Sequence, residues 1–411
     1  MRILRLRAYY DPEKTAGIHL DHDLSEAFLE NGIYYYSYTP APSRGLPKGF
    51  KDYNRLDVLY DGHTIVKRFP MFKEGSSPFQ RLFRYIACSL IEYCLGARTN
   101  GIDIVYSSST PPTQGMLSAM VAKRLSKKYG KKVPFVFNLQ DIFPDSLVNT
   151  KLTKKGSLIW KFGRLIENYT YKNADYIIVI GESFRNNLLN KGVADEKIVV
   201  IPNWVDINNV KPIPKNNNSL FDELNIPRDS FVVLYAGNMG EAQGVDVILD
   251  AAKIIGNSIN IQFVLFGNGS RYHDICDRVN NESISNVIVK DLLPQDRISE
   301  VYSFGDVAII TGTRGTGNAG LPSKTWSIFA CNTPIIASFD TDSELASIIE
   351  RASAGICIEP ENPSLLAESI INEYHINRKS KNLELRSFVV DNASKETCTK
   401  KYIEVFNEVM Q

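Results

Sequence analysis

Histidine is scarce in this chain, with five among 411 residues, and the six cysteines, Cys88, Cys94, Cys276, Cys331, Cys357 and Cys398, stand far apart with no CxxC pair. Zinc sites of the usual cysteine and histidine spacing are therefore excluded, no metal is expected, and the thiols read as reduced ones in a cytoplasmic protein. Long apolar runs are also missing. The most apolar helical candidate, residues 85–97, is far too short to span a bilayer and contains Glu92. Arg2, Arg5 and Arg7 break the opening run, so no cleavable signal is expected after Met1. The chain lacks both the GxGxxG dinucleotide fingerprint and the residue order of a Walker phosphate loop, and ATP hydrolysis is not implied. No nucleic-acid recognition motif accompanies its basic residues, which argues against a nucleic-acid partner.

What is present is a well-buried globular composition, 44% hydrophobic, over a length that exceeds one ordinary core and predicts two domains. The net charge of +1 hides an asymmetry: residues 1–205 carry about 29 basic against about 19 acidic side chains, and the remainder is correspondingly acidic. A basic half suits an anionic membrane surface or a pyrophosphate-bearing acceptor; general solubility accounts for the same charges.

Short β-branched and aromatic runs alternate with helical patterns, as βαβ units around parallel sheets require. The runs predict strands at 2–8, 103–107, 135–139, 176–180 and 197–201, and a second set at 231–236, 261–266, 287–290, 307–310, 334–337 and 355–358. Residues 201–218, rich in proline and asparagine, read as an interdomain connection. The expected fold is α/β, with two doubly wound Rossmann-like domains. Residues 394–410 place Tyr402, Val405, Phe406 and Val409 at helical spacing, the mark of a packed terminal helix.

In such sheets the loops after the strands carry the chemistry. After the first strand, Gly17 would let a backbone approach an anion at a helix start, and His19 and His22 offer bases; a turn glycine and surface histidines explain the same residues. After 135–139 comes Gln140-Asp141 beside an aromatic-proline turn, and Asp141 is the catalytic-base candidate, with a helix cap as its plain alternative. Residues 237–244, with Gly237, Gly240 and Gly244, permit a tight strand-to-helix turn, while Gly267-Asn268-Gly269 is a weak GxG. The densest segment is 311–324, where Gly312, Gly315, Gly317 and Gly320 surround Arg314 before Leu321-Pro322-Ser323-Lys324 opens a helix. Amides, a hydroxyl and a lysine arranged in this way make a pyrophosphate cradle; a mobile surface loop is the competing explanation. Residues 67–98, basic and aromatic, fit either a membrane-resting helix or a core helix with solvated arginines.

At PFVFNLQDIFPDS, ADYIIVIGESF, KIVVIPNWVD, YAGNMGEAQGVDVILDAA and LPSKTWSIFACNTPIIAS, in that order, the chain resembles the retaining family 4 glycosyltransferases of GT-B fold, particularly fucosamine transferases of bacterial O-antigen and capsule synthesis. The resemblance implies an acceptor-binding domain over 1–205, a nucleotide-sugar-binding domain over 206–393, and a last helix, 394–411, returning to the first domain. It implies transfer of a hexosyl-type sugar with retention, from a nucleoside diphosphate sugar, UDP-linked, to a glycan or polyprenyl-diphosphate-linked acceptor at the inner face of the cytoplasmic membrane. Donor contacts then fall to Asn238, Met239, Gly240, Gln243, Gly267, Arg314, Gly320, Leu321, Ser323, Lys324 and Ser327, and acceptor contacts to Gly17, His19 and Gln140. Where the family commonly carries a histidine, this chain has Gln140 or its neighbour Asp141. Where the family has arginine and lysine it has Asn238 and Gln243, and in place of two glutamates eight residues apart it has Ala319 and Ser327. Lys324 and Arg314 are the replacement charges for the diphosphate. A nucleotide-sugar epimerase and a non-catalytic partner of a polysaccharide assembly complex remain as alternatives.

Overall fold

The computed structural model describes residues 1–13, 17–46, 50, 52–75, 77–149, 153–319, 321–377 and 384–411. The chain folds as two compact units, Met1–Pro202 with Cys398–Gln411, and Asn203–Thr397.

The first unit runs β1 (Arg2–Leu6), α1 (Ile18–Glu30), β2 (Tyr34–Pro40), β3 (Leu56–Leu59), β4 (Thr64–Phe69), α2 (Pro78–Arg98), β5 (Ile104–Ser108), α3 (Gln114–Tyr129), β6 (Phe135–Leu139), α4 (Asp145–Asn149), α5 (Leu158–Asn173), β7 (Tyr176–Val179), α6 (Glu182–Asn190) and β8 (Ile198–Val200). Among the described residues these strands form an eight-stranded sheet ordered β3-β4-β2-β1-β5-β6-β7-β8. Every pairing is parallel except that of β3 with β4. Right-handed crossovers send α1 to one face and α2, α3, α5 and α6 to the other, because the chain moves across the sheet in opposite directions in the two cases.

The second unit contains α7 (Leu220–Glu223), β9 (Phe231–Asn238), α8 (Asp246–Ile255), β10 (Ile261–Asn268), α9 (Tyr272–Asn281), β11 (Val287–Asp291), α10 (Ile298–Phe304), β12 (Val307–Thr311), α11 (Lys324–Ala330), β13 (Ile335–Ser338), α12 (Glu344–Arg351), β14 (Gly355–Ile358), α13 (Pro363–Ile376) and α14 (Leu385–Ala393). Its described residues give a six-stranded, fully parallel sheet ordered β11-β10-β9-β12-β13-β14. Two apolar layers cover the sheet. One contains Phe221, Phe304, Phe329 and Leu385, the other Ile248, Leu249, Ile275 and Leu366. The unit begins and ends side by side: Val205 bridges Ser394, and Lys395 N donates to Val205 O at 3.1 Å.

The last helix, α15 (Lys395–Glu408), carries Tyr402 and Phe406 into the first unit. Phe406 meets Phe28 of α1 and Tyr106 of β5 at ring-centroid distances of 5.6 and 5.4 Å. These apolar side chains, rather than helix propensity, hold so short a segment in place.

The strands expected from alternation are all present, with ends shifted by at most two residues. The sequence reading missed β2, β3 and β4. Tyr34–Pro40 is dominated by tyrosine, and β3 is an exposed edge strand whose Leu56 and Val58 face solvent. Neither shows the apolar run that marks a central parallel strand. Residues 201–218 differ from a free connection as well. Lys211 N and Ile213 N donate to the Ser299 and Ser303 hydroxyls at 3.1 and 2.9 Å, and Lys215 pairs with Asp306 at 2.9 Å, so most of the stretch is fastened to the second unit. Beneath β1, Arg5 and Arg7 are buried against Asp21 of α1 and Tyr35 of β2; the Tyr35 hydroxyl accepts from them at 2.7 and 2.5 Å.

Candidate functional site

Ligands of parallel sheets bind beyond the carboxyl ends of the strands, where the strand order reverses. In the second unit that point lies between β9 and β12, since β10 flanks β9 on one side and β12 on the other. Two loops meet there. One leaves β9 through Gly237 to Gly240 and the turn Glu241–Gln243 into α8, and the other leaves β12 and ends at α11. Thr313 N donates to Ala242 O at 2.9 Å, which joins stations 71 positions apart in the chain.

Lys324 stands at the first position of α11 and turns its ammonium under the β9 loop. Its Nζ lies 3.4 Å from Ala236 O and 4.3 Å from the centroid of the Tyr235 ring. A Cβ built on Gly237 would stand 3.5 Å from Nζ, and with φ at 149° that position is one only glycine adopts readily. Gly237 thus places no side chain beside the ammonium. Among the described residues Lys324 forms no ion pair, and burial pushes its pKa down to about 8. A sheltered cation with no counter-ion at a sheet switch point is suited to an incoming anion, and above all to negative charge that develops during a reaction.

The other expected donor residues occupy varied positions around it. Asn238 is exposed, and its Nδ2 donates to Gln243 Oε1 at 2.9 Å; the same oxygen accepts from Gly240 N at 3.1 Å. Gln243 therefore caps the turn. Met239 is fully buried, and its amide donates to Asn268 O at 2.6 Å, which leaves that amide no proton for a ligand. Gly267 has no room for a side chain, since a Cβ would stand 2.5 Å from Met239 Cε and 2.8 Å from Gly237 O. Arg314 is 66% exposed and pairs with Glu359 at 3.2 Å, so its charge is already balanced. Leu321 and Ser327 are half-buried and Ser323 is exposed. Gly320 lies outside the described residues.

One organiser of the glycine-rich loop was not expected. The Asp340 carboxylate accepts from Gly315 N at 3.0 Å and Gly317 N at 2.7 Å, bending the loop toward the end of β13. Tyr235 was also missed: its ring lies under Lys324 while its hydroxyl donates to Asn238 O at 2.5 Å. An aromatic residue inside an apolar strand gives no sign of this in sequence.

In the first unit, Asp141 follows β6 and its amide and that of Gln140 both donate to Ser109 Oγ at 3.0 Å. A small hollow beside the Asp141 side chain is lined by Ser109, Pro112, Phe137, Leu139, Phe143, Glu167, Thr170 and Tyr171. Burial raises the Asp141 pKa above the usual carboxylate value, while hydrogen bonds from Ser146 and the Ile142 amide work the other way. Gln140 Nε2 donates to Asn138 Oδ1 at 2.9 Å. Gly17 caps α1 at φ 80°, the left-handed region, and His19 is exposed. His22 is held by Asp11 at 2.5 Å and by the Tyr60 hydroxyl at 2.9 Å, and the bond to Asp11 raises its pKa. Within 67–98, Arg84 is fully buried and donates to Phe72 O and Ala41 O at 3.1 and 3.2 Å. It is therefore not one of the solvated or membrane-facing arginines expected there. The side chains of Phe79, Arg81 and Leu82 lie outside the described residues. Among the described residues no helix is long and apolar enough to cross a membrane.

Comparison with known proteins gives a consistent outcome. The family description "Glycosyl transferases group 1" matches residues 216–388 and "Glycosyltransferase Family 4" matches residues 22–209. WbjE of Pseudomonas aeruginosa, described as a probable glycosyltransferase, is 25% identical over 305 residues, 74% of this chain and 74% of WbjE. WcaI of Escherichia coli (strain K12), placed by its description in colanic acid biosynthesis, is 26% identical over 239 residues, 57% of this chain and 58% of WcaI. The crystal structure of Anabaena HepE in complex with UDP matches with a TM-score of 0.72 at 16% identity, over 99% of this chain and 100% of HepE, a likeness of fold.

Proposed function

The chain belongs to the glycosyltransferases of group 1 and family 4, and from that premise we propose that it moves a sugar from a UDP-linked donor to a glycan or polyprenyl-diphosphate-linked acceptor in bacterial surface polysaccharide synthesis. The polysaccharide context is supported by the relative WcaI, placed by its description in colanic acid biosynthesis, and the nucleotide by the UDP held in HepE. O-antigen or capsule is the product class in this reading, the sugar is hexosyl, and its anomeric configuration is retained.

The observation that carries the proposal is the Lys324 ammonium, sheltered at the switch point of the second sheet and without an ion pair among the described residues. The donor diphosphate lies against this cation, with Asn238, Gly240, Gln243, Gly267, Leu321, Ser323 and Ser327 around the nucleotide sugar. Arg314, on the loop after β12, must exchange Glu359 for the diphosphate. As the sugar bond breaks, charge accumulates on the diphosphate, and a cation already in place needs no reorganisation to stabilise it. A diphosphate leaving group that itself accepts the acceptor proton requires no protein nucleophile. The first unit presents the acceptor through Gly17, His19 and Gln140, with Asp141 assisting proton removal. The cation comes from the chain itself, and transfer proceeds without a metal.

The test is thermal stabilisation by uridine, guanosine and thymidine diphosphates, since a ligand of the native state raises the midpoint. A uridine-selective rise that disappears in Lys324→Met supports the reading; no rise with any nucleotide defeats it.

A further inference from the structure

Three helices of the first unit expose a surface unlike that of an ordinary α/β layer. α2 packs on α3 and α3 packs on α5, side by side over one face of the eight-stranded sheet. α5 is apolar on its outward face as well as its inward one. The inward face carries Gly163, Ile166, Glu167, Thr170 and Tyr171, while outward-facing Leu158, Ile159, Phe162 and Leu165 are 85, 61, 64 and 67% exposed. On α2, Phe83, Ile86 and Leu90 follow one another at three- and four-residue steps along the outer face. Phe72 stacks on Phe83 at a centroid distance of 5.7 Å and extends that stripe. Single exposed leucines are ordinary, but two stripes flanking one helix are not.

The exposed charges on these three helices have one sign. α2, α3 and α5 contain only two carboxylates, Glu92 and Glu167, and both are buried. α3, between the stripes, exposes Lys123, Arg124, Lys127 and Lys128, and Lys154, Lys155 and Lys161 are exposed around the start of α5. A second copy of this face would bring lysine against lysine in a two-fold contact, which opposes self-association. Apolar side chains set among positive charge instead match the boundary of an anionic bilayer, with acyl chains below and phosphates at the level of the lysines.

We propose that the outer faces of α2, α3 and α5 form a docking surface for an anionic lipid bilayer, with the apolar stripes of α5 and α2 entering the interface. This deepens the lipid-linked-acceptor part of the proposed function, and no proposed donor residue lies on these helices. It keeps the apolar side chains of 67–98 and adds α3 and α5, which sequence patterning did not single out.

Flotation of the full chain with phosphatidylglycerol-containing vesicles at low salt tests it, with pure phosphatidylcholine vesicles, the triple substitution L158S/F162S/L165S and the pair R124E/K127E as comparisons. The expected result is flotation of the unaltered chain with anionic vesicles, a roughly tenfold smaller bound fraction in the triple variant, and a several-fold loss with the charge pair or on phosphatidylcholine. The thermal shift with UDP stays unchanged in both variants, because these residues are exposed and remote in sequence from the donor loops. Failure of the unaltered chain to float, or equal flotation of the triple variant, overturns the proposal. So does sedimentation showing a dimer that the triple variant dissolves, since a second copy would then cover the surface. Flotation as expected with no response to any nucleotide would refute the donor reading and leave the lipid surface standing.

Discussion

Substituting Lys324 by methionine removes one charge and keeps most of the side-chain volume, so its consequences for folding and for catalysis point in opposite directions. The pKa falls from 10.5 to about 8 in the fold. With about 1.36 kcal/mol per unit, keeping this lysine protonated at neutral pH costs the folded state on the order of 3 kcal/mol. The sign follows from the direction: a lysine pKa lowered by folding means the fold is penalised below the folded value and the penalty is relieved as pH rises toward the unfolded one. Methionine escapes the penalty, and the contact with the Tyr235 ring and the long hydrogen bond to Ala236 O are lost in exchange. The variant should therefore unfold at the same temperature as the parent or a few degrees higher near neutral pH. Catalysis should respond the other way. A unit charge about 4 Å from a diphosphate oxygen is worth about 4 kcal/mol at an effective dielectric of about 20. Loss of one well-aimed donor typically lowers turnover by about 10²–10³. Steady-state kcat/KM with a nucleotide sugar, measured beside a thermal melt, reads both effects. Unchanged kcat/KM would refute the reasoning, and so would a large fall in melting temperature, which would make Lys324 a structural residue.

The same pKa makes nucleotide binding dependent on pH: below about pH 8 Lys324 is charged before the ligand arrives, whereas above it binding must take up a proton. Titration calorimetry should show the Kd for UDP rising by up to about tenfold per pH unit above pH 8 in the parent, and no such limb in Lys324→Met. Asp141→Asn should lower kcat by about a hundredfold while leaving the UDP-induced thermal shift intact, and an equal loss of UDP binding would move Asp141 out of its catalytic role. Asp21→Asn leaves two buried guanidinium groups without their carboxylate and should cost about 3–5 kcal/mol in urea unfolding. Burial opposes ionisation of Asp21, but Arg5 and Arg7 outweigh it and hold its pKa below the usual value. Its contribution is thus complete above the ordinary carboxylate range and lost as pH falls through the depressed value, an acid limb the variant should lack. Addition of EDTA should leave transfer unchanged, as measured by UDP release.

The parallel core of both sheets was legible because strands such as Tyr176–Val179 and Val307–Thr311 are continuous apolar or β-branched runs. β2 to β4 were not, because tyrosines and edge residues satisfy strand geometry without that pattern. The two loops that meet at the switch point of the second sheet were legible as glycine clusters after strands, and Lys324 as a cation opening a helix. What the sequence could not convey was which groups face a ligand and which are already engaged. Met239, whose amide is taken by Asn268 O, and Arg314, balanced by Glu359, look the same in sequence as groups free to bind. Asp340 organises the glycine loop from beyond β13, a distance along the chain that local spacing does not bridge. The outward apolar stripe of α5 likewise depends on which side of the helix meets the sheet, and periodicity fixes a stripe without fixing its direction.

The most direct test of the central claim is to incubate the purified chain with UDP-sugars, with and without a lipid-linked acceptor extract, and to follow released UDP and the configuration of the sugar product by nuclear magnetic resonance. Slow UDP release without acceptor, acceleration with it, and a product of the same anomeric configuration as the donor are predicted. Return of an isomerised UDP-sugar, or no UDP release under any of these conditions, would contradict the account.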